Sequence, residues 1–199
     1  MSATAHGEDM TIEVFRAALE LARENDNYLV LGGGEPTLHP QFEQMLVEAM
    51  AASTELADKV FIVTNGSITR RAMILARLHK AGFITARLSQ DEYHDPIDQQ
   101  VIDVFTKLNS IRDVTHGGRI EPLPTGRAIE LLGYELEDRD ETHCACTDWV
   151  IKPNGDVLQC GCDDSPFIGN VFDGVDCVAV NGVCHLSMEF LLAYEESVI

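Results

Sequence analysis

The stretch Leu31-Gly32-Gly33-Gly34-Glu35-Pro36-Thr37-Leu38-His39-Pro40 follows a short apolar run at residues 28–31, and its reading decides the fold of the first half of the chain. The run has the length of a strand. Glycines directly after a strand let the backbone approach a small ligand closely. A carboxylate in that place can accept hydrogen bonds from an ammonium group. Tight turns use glycine too, so this stretch alone leaves both readings open.

Working outward, helical and strand patterns alternate. Upstream, Thr11 or a neighbour can cap a helix reaching about residue 24, with Val14, Phe15, Ala18, Leu19 and Ala22 on one face. Downstream, a helix after Pro40 carries Phe42, Leu46 and Met50 at spacing four. Residues 60–63 form the next apolar strand, ended by Asn65-Gly66. A helix over about 69–80 leads to a strand at 84–88, and a helix over about 96–108 leads to strand-like residues within 111–123. This order predicts an α/β fold with a parallel sheet and helical crossovers. Ligands of such sheets sit at the C-terminal strand ends. The informative loops, at residues 32–40, 64–66, 89–95 and 121–127, are all of that kind.

The pattern breaks into a charged linker near residues 134–141. Beyond it, Trp149 to Cys160 reads as a β-hairpin around Pro153-Asn154-Gly155, and an amphipathic helix is expected over about 186–195. The chain thus divides into residues 1–133 and a smaller module at 134–199.

Four segments together carry a resemblance. Gly33-Gly34-Glu35-Pro36-Thr37-Leu38-His39-Pro40 resembles the GGE motif of radical S-adenosylmethionine (radical SAM) enzymes. Thr64-Asn65-Gly66 resembles their Thr-Asn-Gly strand end. Leu88-Ser89-Gln90-Asp91-Glu92-Tyr93-His94-Asp95 is similar to their Ser-x-Asp strand with its His-Asp pair. Pro122-Leu123-Pro124-Thr125-Gly126-Arg127-Ala128 is similar to their Pro-x-Gly-Arg-Ala element. The resemblance spans about residues 11–130 and implies a partial TIM-like (β/α) barrel that lacks its first strand. It also implies cofactor roles by position. Gly33, Gly34 and Glu35 would hold the amino group of S-adenosylmethionine, Ser89 and Asp91 would contact its ribose, Asn65 would line the mouth, and Arg127 would lie near the adenosyl or carboxylate end. The physical logic agrees, since a zwitterionic sulfonium needs a carboxylate, backbone donors and hydroxyls converging on one crevice. The edge left by the absent strand would be exposed, or covered by a second copy or a partner chain.

All six cysteines lie at Cys144, Cys146, Cys160, Cys162, Cys177 and Cys184. Clustered thiols in a reducing compartment argue for a metal site over disulfides. The Cys144…Gly155…Cys160 spacing resembles the hairpin of the SPASM and Twitch auxiliary-cluster modules, the shortened Twitch being nearer. That resemblance implies an auxiliary iron–sulfur cluster on Cys144, Cys160, Cys177 and Cys184, with Cys146 and Cys162 as alternative ligands. A zinc site, with His143 and His185 as further candidates, and plain buried thiols stay open beside it.

The family holds its catalytic cluster on three cysteines, commonly Cys-x3-Cys-x2-Cys, after the first strand. No cysteine precedes Cys144 here. Two accounts stand side by side: Met1 is internal and the cluster loop lies upstream, or the chain is a cluster-less binding, scaffold or partner protein of a complete enzyme. On either account the chain by itself is expected to bind S-adenosylmethionine weakly or not at all and to generate no radical. The expected whole is an enzyme modifying a peptide, a protein or a small molecule.

The formal net charge of −19, from 33 acidic and 14 basic side chains, repels phosphate backbones, so nucleic acid is not an expected partner. No apolar stretch is long enough for a membrane span, and the first residues carry neither a basic n-region nor an apolar h-region. A cytoplasmic location is the expectation.

Overall fold

The computed structural model describes residues 7–25, 28–53, 60–90, 94–112, 148–161 and 165–175. The chain forms two compact units, one of residues 19–121 and one of residues 1–18 with 122–199.

The first unit is built on four parallel strands in the spatial order β1-β2-β3-β4: Val30–Leu31, Phe61–Thr64, Thr85–Ser89 and Ile111–Arg112. Helices α2 (Phe42–Ala52), α3 (Thr69–Lys80) and α4 (Gln99–Lys107) are the crossovers between them, as the alternation predicts. Every other strand residue faces the helices: Ile62, Ala86 and Leu88 are fully buried, with Val60 and Ile84 beside the strands. The opposite face carries half-buried Phe61, Val63, Thr85 and Ser89 and exposed Arg87, whose guanidinium lies 5.7 Å from the Phe61 ring centroid.

Several boundaries differ from the sequence reading, each for a local reason. β2 and β3 extend one residue further, to Thr64 and Ser89, because these pair with Leu88 and Arg112. α4 starts at Gln99 rather than near 96, because the Asp98 side chain accepts from the Gln100 N–H at 3.0 Å and caps the helix there. α2 buries Phe42, Met45, Leu46 and Ala49, while Met50 is only half-buried. Each step of four drifts about 40° around a helix, so the third member of a spacing-four row leaves the buried face. The first helix, α1 (Ile12–Glu24), buries Val14, Phe15, Ala18 and Leu19, and Thr11 Oγ1 accepts from the Val14 N–H as a cap, both as expected. Ala22 is half-buried.

α4 ends through Asn109 in the left-handed conformation, φ 51°. The turn delivers Ser110, whose hydroxyl donates to the Ala86 carbonyl and whose own carbonyl accepts from the Leu88 N–H at 3.0 Å. These bonds tie β4 to β3.

In the second unit, β5 (Val150–Ile151), β6 (Asp156–Leu158), β7 (Phe167–Asn170) and β8 (Gly174–Val175) form an antiparallel meander. The hairpin at Pro153-Asn154-Gly155 is the one the sequence predicts. The Gly155 N–H donates to the Lys152 carbonyl at 2.9 Å, and Gly155 takes φ 90°, which favours glycine. Asn154 Oδ1 accepts from the Asp156 N–H, and the Asn170 amide donates to Asp156 Oδ1 at 3.0 Å, locking the third strand to the turn. The expected helix over 186–195 and the cysteines at 144, 146, 162, 177 and 184 lie outside the described residues. Among the described residues no helix is long and apolar enough to cross a membrane.

Candidate functional site

The parallel register aligns the strand ends. Leu31 pairs with Ile62, Thr64 with Leu88, and Ser89 with Arg112. The loops that follow therefore open on one edge of the sheet, where Gly33, Gly34 and Glu35 after β1, Asn65 after β2, and Ser89 at the end of β3 come together. Asp91 and Arg127 lie outside the described residues.

Glu35 is the centre of this edge. Its Oε1 accepts from the Thr37 N–H at 3.1 Å, from the Thr37 hydroxyl, and from the Thr64 hydroxyl at 2.7 Å. Its Oε2 accepts from the Asn65 N–H at 2.6 Å. One carboxylate thus joins the loop after β1 to the end of β2. Thr37 and Thr64 are fully buried, whereas Glu35 is half-buried. A carboxylate offers about four acceptor sites. Three of the chain's own donors end on Oε1 and one on Oε2.

The glycines explain the other side of the loop. A Cβ added at Gly32 or Gly33 would meet no atom within 4 Å, so packing inside the chain does not demand glycine at either place. Gly33 has φ 119°, a backbone conformation that other residues adopt at a cost, and all three of Gly32, Gly33 and Gly34 are exposed. The run thus presents bare backbone at the strand edge. Gly66 is different: its added Cβ would lie 2.8 Å from Ile97 and 2.9 Å from Leu88, so that glycine serves close packing of α4's approach on the strand end. The Asn65 side chain accepts from the Ser67 N–H at 2.9 Å and holds the turn leaving β2.

The profile of the radical SAM superfamily matches residues 2–119. The chain belongs to the radical SAM superfamily. In fold it is similar to a crystal structure of BtrN in complex with AdoMet and 2-DOIA, at 16% sequence identity and a TM-score of 0.56, over 85% of this chain and 68% of that one. No curated protein matches the chain. The parallel sheet with helical crossovers is consistent with the radical SAM fold, and the resemblance read from the four loop segments is borne out at the level of the superfamily.

Sequence reasoning missed four residues of this radical SAM strand edge. Thr37 and Thr64 stood inside the quoted segments, and their hydroxyls were the available signal. Arg71 and Glu43 carried none. Arg71, on α3, donates from Nε and Nη2 to Glu43 on α2 at 2.9 and 2.7 Å, and from Nη1 to the carbonyls of Thr37 and His39. Those hydrogen bonds hold the Glu43 carboxyl below its usual range. The pair is therefore intact at neutral pH and is lost only as the pH falls through that lowered value.

Cys160 is fully buried just beyond β6, where its N–H donates to Ser165 Oγ at 2.9 Å. Among the described residues no three His, Cys, Asp or Glu side chains group as metal ligands.

Proposed function

We propose that the mouth formed by Gly33, Gly34, Glu35, Asn65 and Ser89 binds S-adenosylmethionine, with Asp91 and Arg127 completing it. The Glu35 carboxylate carries this reading, because it sits between two strand ends with acceptor capacity left at Oε2 and bare glycine backbone beside it. Membership in the radical SAM superfamily supports it, as does the AdoMet in the similar BtrN structure. In this assignment Glu35 accepts from the cofactor's ammonium group, the glycines admit its amino-acid end against the backbone, and the Ser89 hydroxyl meets the ribose. The cofactor supplies a sulfonium carrying an adenosyl group. No cysteine precedes Cys144, so residues 1–143 offer no thiolate to a catalytic cluster, and no radical step is assigned to them. The reaction served is modification of a peptide, a protein or a small molecule.

Titration calorimetry with S-adenosylmethionine tests the assignment. Without a cluster iron to anchor the amino and carboxylate groups, the expected dissociation constant is about 1 mM, or about −4 kcal/mol. S-adenosylhomocysteine should compete, and Glu35→Gln should abolish the heat while the protein stays folded. Binding that survives Glu35→Gln unchanged, or no binding at all, rejects it.

For the C-terminal module we infer an auxiliary iron–sulfur cluster on Cys144, Cys160, Cys177 and Cys184, with Cys146 and Cys162 as alternatives and zinc as the competing metal. The Cys144…Gly155…Cys160 spacing supports it, since the hairpin turn at Pro153-Asn154-Gly155 pairs β5 with β6 and Cys160 lies just beyond β6. Anaerobically purified protein is expected to contain iron and sulfide, and Cys160→Ala to lose both. Metal analysis that finds neither iron nor zinc sinks this inference.

A further inference from the structure

We propose that Arg71 is the positioning residue of the strand-edge mouth: by gripping the carbonyls of Thr37 and His39 from α3, it fixes where Glu35 presents its carboxylate. The consequence for ligand binding rests on the S-adenosylmethionine reading above; the effect on the loop does not.

Loop 32–40 is held to β2 by the Glu35 bonds to Thr64 and Asn65, at its end by the Phe42 N–H donating to the His39 carbonyl at 3.1 Å, and from α3 by Arg71. Three of its residues are exposed glycines, and its internal backbone bonds are those of the short 3-10 turn at Pro36–Leu38, with Leu38 N–H donating to Glu35 and His39 N–H to Pro36. Thr37 is the link. Its N–H and hydroxyl both go to Glu35, and its carbonyl goes to Arg71. A shift of Thr37 therefore moves two of the four donors that set the Glu35 carboxylate. Arg71 opposes that shift by holding the carbonyl of the next peptide, on the other side of the Thr37 Cα.

The guanidinium is itself firmly placed. Its side chain is 19% exposed, it lies 5.5 Å from the Phe42 ring centroid, and Glu43 takes two of its N–H groups in a fork. That fork turns Nη1 toward the loop, where it spans two carbonyls at once. An exposed ion pair joining two helices would do none of this, since it would leave the Thr37 carbonyl without the guanidinium. A lysine could neutralise Glu43 or reach one carbonyl, but its point-like ammonium cannot reproduce the planar fork and the bridge together.

The variants Arg71→Lys and Arg71→Ala test this, with Leu75→Val on the same helix as a control of similar stability loss, since Leu75 is fully buried and faces the core. Two quantities are read: amide hydrogen exchange at Thr37 and Asn65, the backbone donors to Glu35, and the affinity for S-adenosylmethionine. Arg71→Lys is expected to speed exchange at both amides about tenfold, and to weaken S-adenosylmethionine about fivefold. Leu75→Val should move neither beyond twofold. In a Glu35→Gln background, Arg71→Lys should no longer change exchange at Asn65, because its route runs through the carboxylate. The proposal is overturned if Arg71→Lys and Leu75→Val act alike, or if Arg71→Lys leaves Asn65 exchange unchanged. Should the parent protein bind no S-adenosylmethionine, the exchange data alone decide the role of Arg71, and only the ligand assignment falls.

Discussion

Glu35→Ala is expected to lower the melting temperature by about 6–12 °C, the shift that about 3 kcal/mol produces in a chain of this size. The reasoning starts from the donors left behind. Four hydrogen bonds end on this carboxylate, two of them from Thr37 and one from Thr64, and both threonines are fully buried. A buried donor without a partner costs about 1–3 kcal/mol. The total stays near the upper end of one such loss because Glu35 is half-buried, so water enters the space the side chain vacates. Glu35→Gln separates the contributions. Its amide oxygen can still accept from the two hydroxyls, but its NH2 group cannot accept from the Asn65 N–H, so about 1 kcal/mol should go. Circular-dichroism melts of the three proteins give the answer. An Ala variant within 1–2 °C of the parent would show that the carboxylate is there for a ligand alone.

Gly169→Ala should be strongly disruptive in the C-terminal module, more so than alanine at Gly155 or Gly174. At φ 147° the added Cβ would lie 2.2 Å from the Gly174 carbonyl oxygen and 2.7 Å from the Val175 Cα. Both are backbone atoms of the strand paired with β7, and backbone cannot swing aside as a side-chain tip can. The pairing of Gly169 with Val175 and of Asn170 with Gly174 must open, at about 3 kcal/mol or more. Gly174→Ala is the matched control. It too has a positive φ, 102°, but nothing lies within 4 Å of its added Cβ, so it carries the backbone strain alone, about 1 kcal/mol. Hydrogen exchange followed by mass spectrometry should show loss of protection across residues 156–158 and 167–175 in the first variant, with residues 61–64 and 85–89 unaffected. Equal behaviour of the two variants would refute the clash argument.

How much of this was legible beforehand depended on range. Periodicity is a local signal, and it placed β2, α3, β3 and the Pro153-Asn154-Gly155 turn to within a residue or two. The segments at residues 32–40 and 64–66 already stood at the ends of β1 and β2. Two things escaped. The return of the meander through β7 and β8 has no alternating apolar pattern: of Phe167-Ile168-Gly169-Asn170 only Ile168 is buried, and Phe167 is 62% exposed. Its pairing is written in the backbone freedom of Gly169 and Gly174 and in the Asn170–Asp156 bond, neither of which has a period. The role of Arg71 escaped for a related reason. Its partners, Thr37, His39 and Glu43, are remote in sequence, and an arginine near the start of a helix reads as ordinary surface charge. Glu35 was read for a ligand's ammonium group, and its service to the chain's own amides was not visible until Thr64 and Asn65 were placed beside it.

The two sheets also differ in how they can come into being. In the meander each strand meets its neighbour across a short stretch of chain: Val150 finds Leu158, and Gly169 finds Val175. In the parallel sheet Val30 must wait for Phe61, Phe61 for Thr85, and Leu88 for Ile111, each across a whole helix. Closing longer loops costs more entropy before any contact repays it, and folding slows as contacts become less local. The parallel sheet is therefore the slow partner in folding. During that delay Phe61, Ile62 and Val63 stand as an unpaired, uncharged β-prone run, the kind of segment that associates with its like. A nascent chain would then depend on how soon α3 and β3 arrive to cover that run.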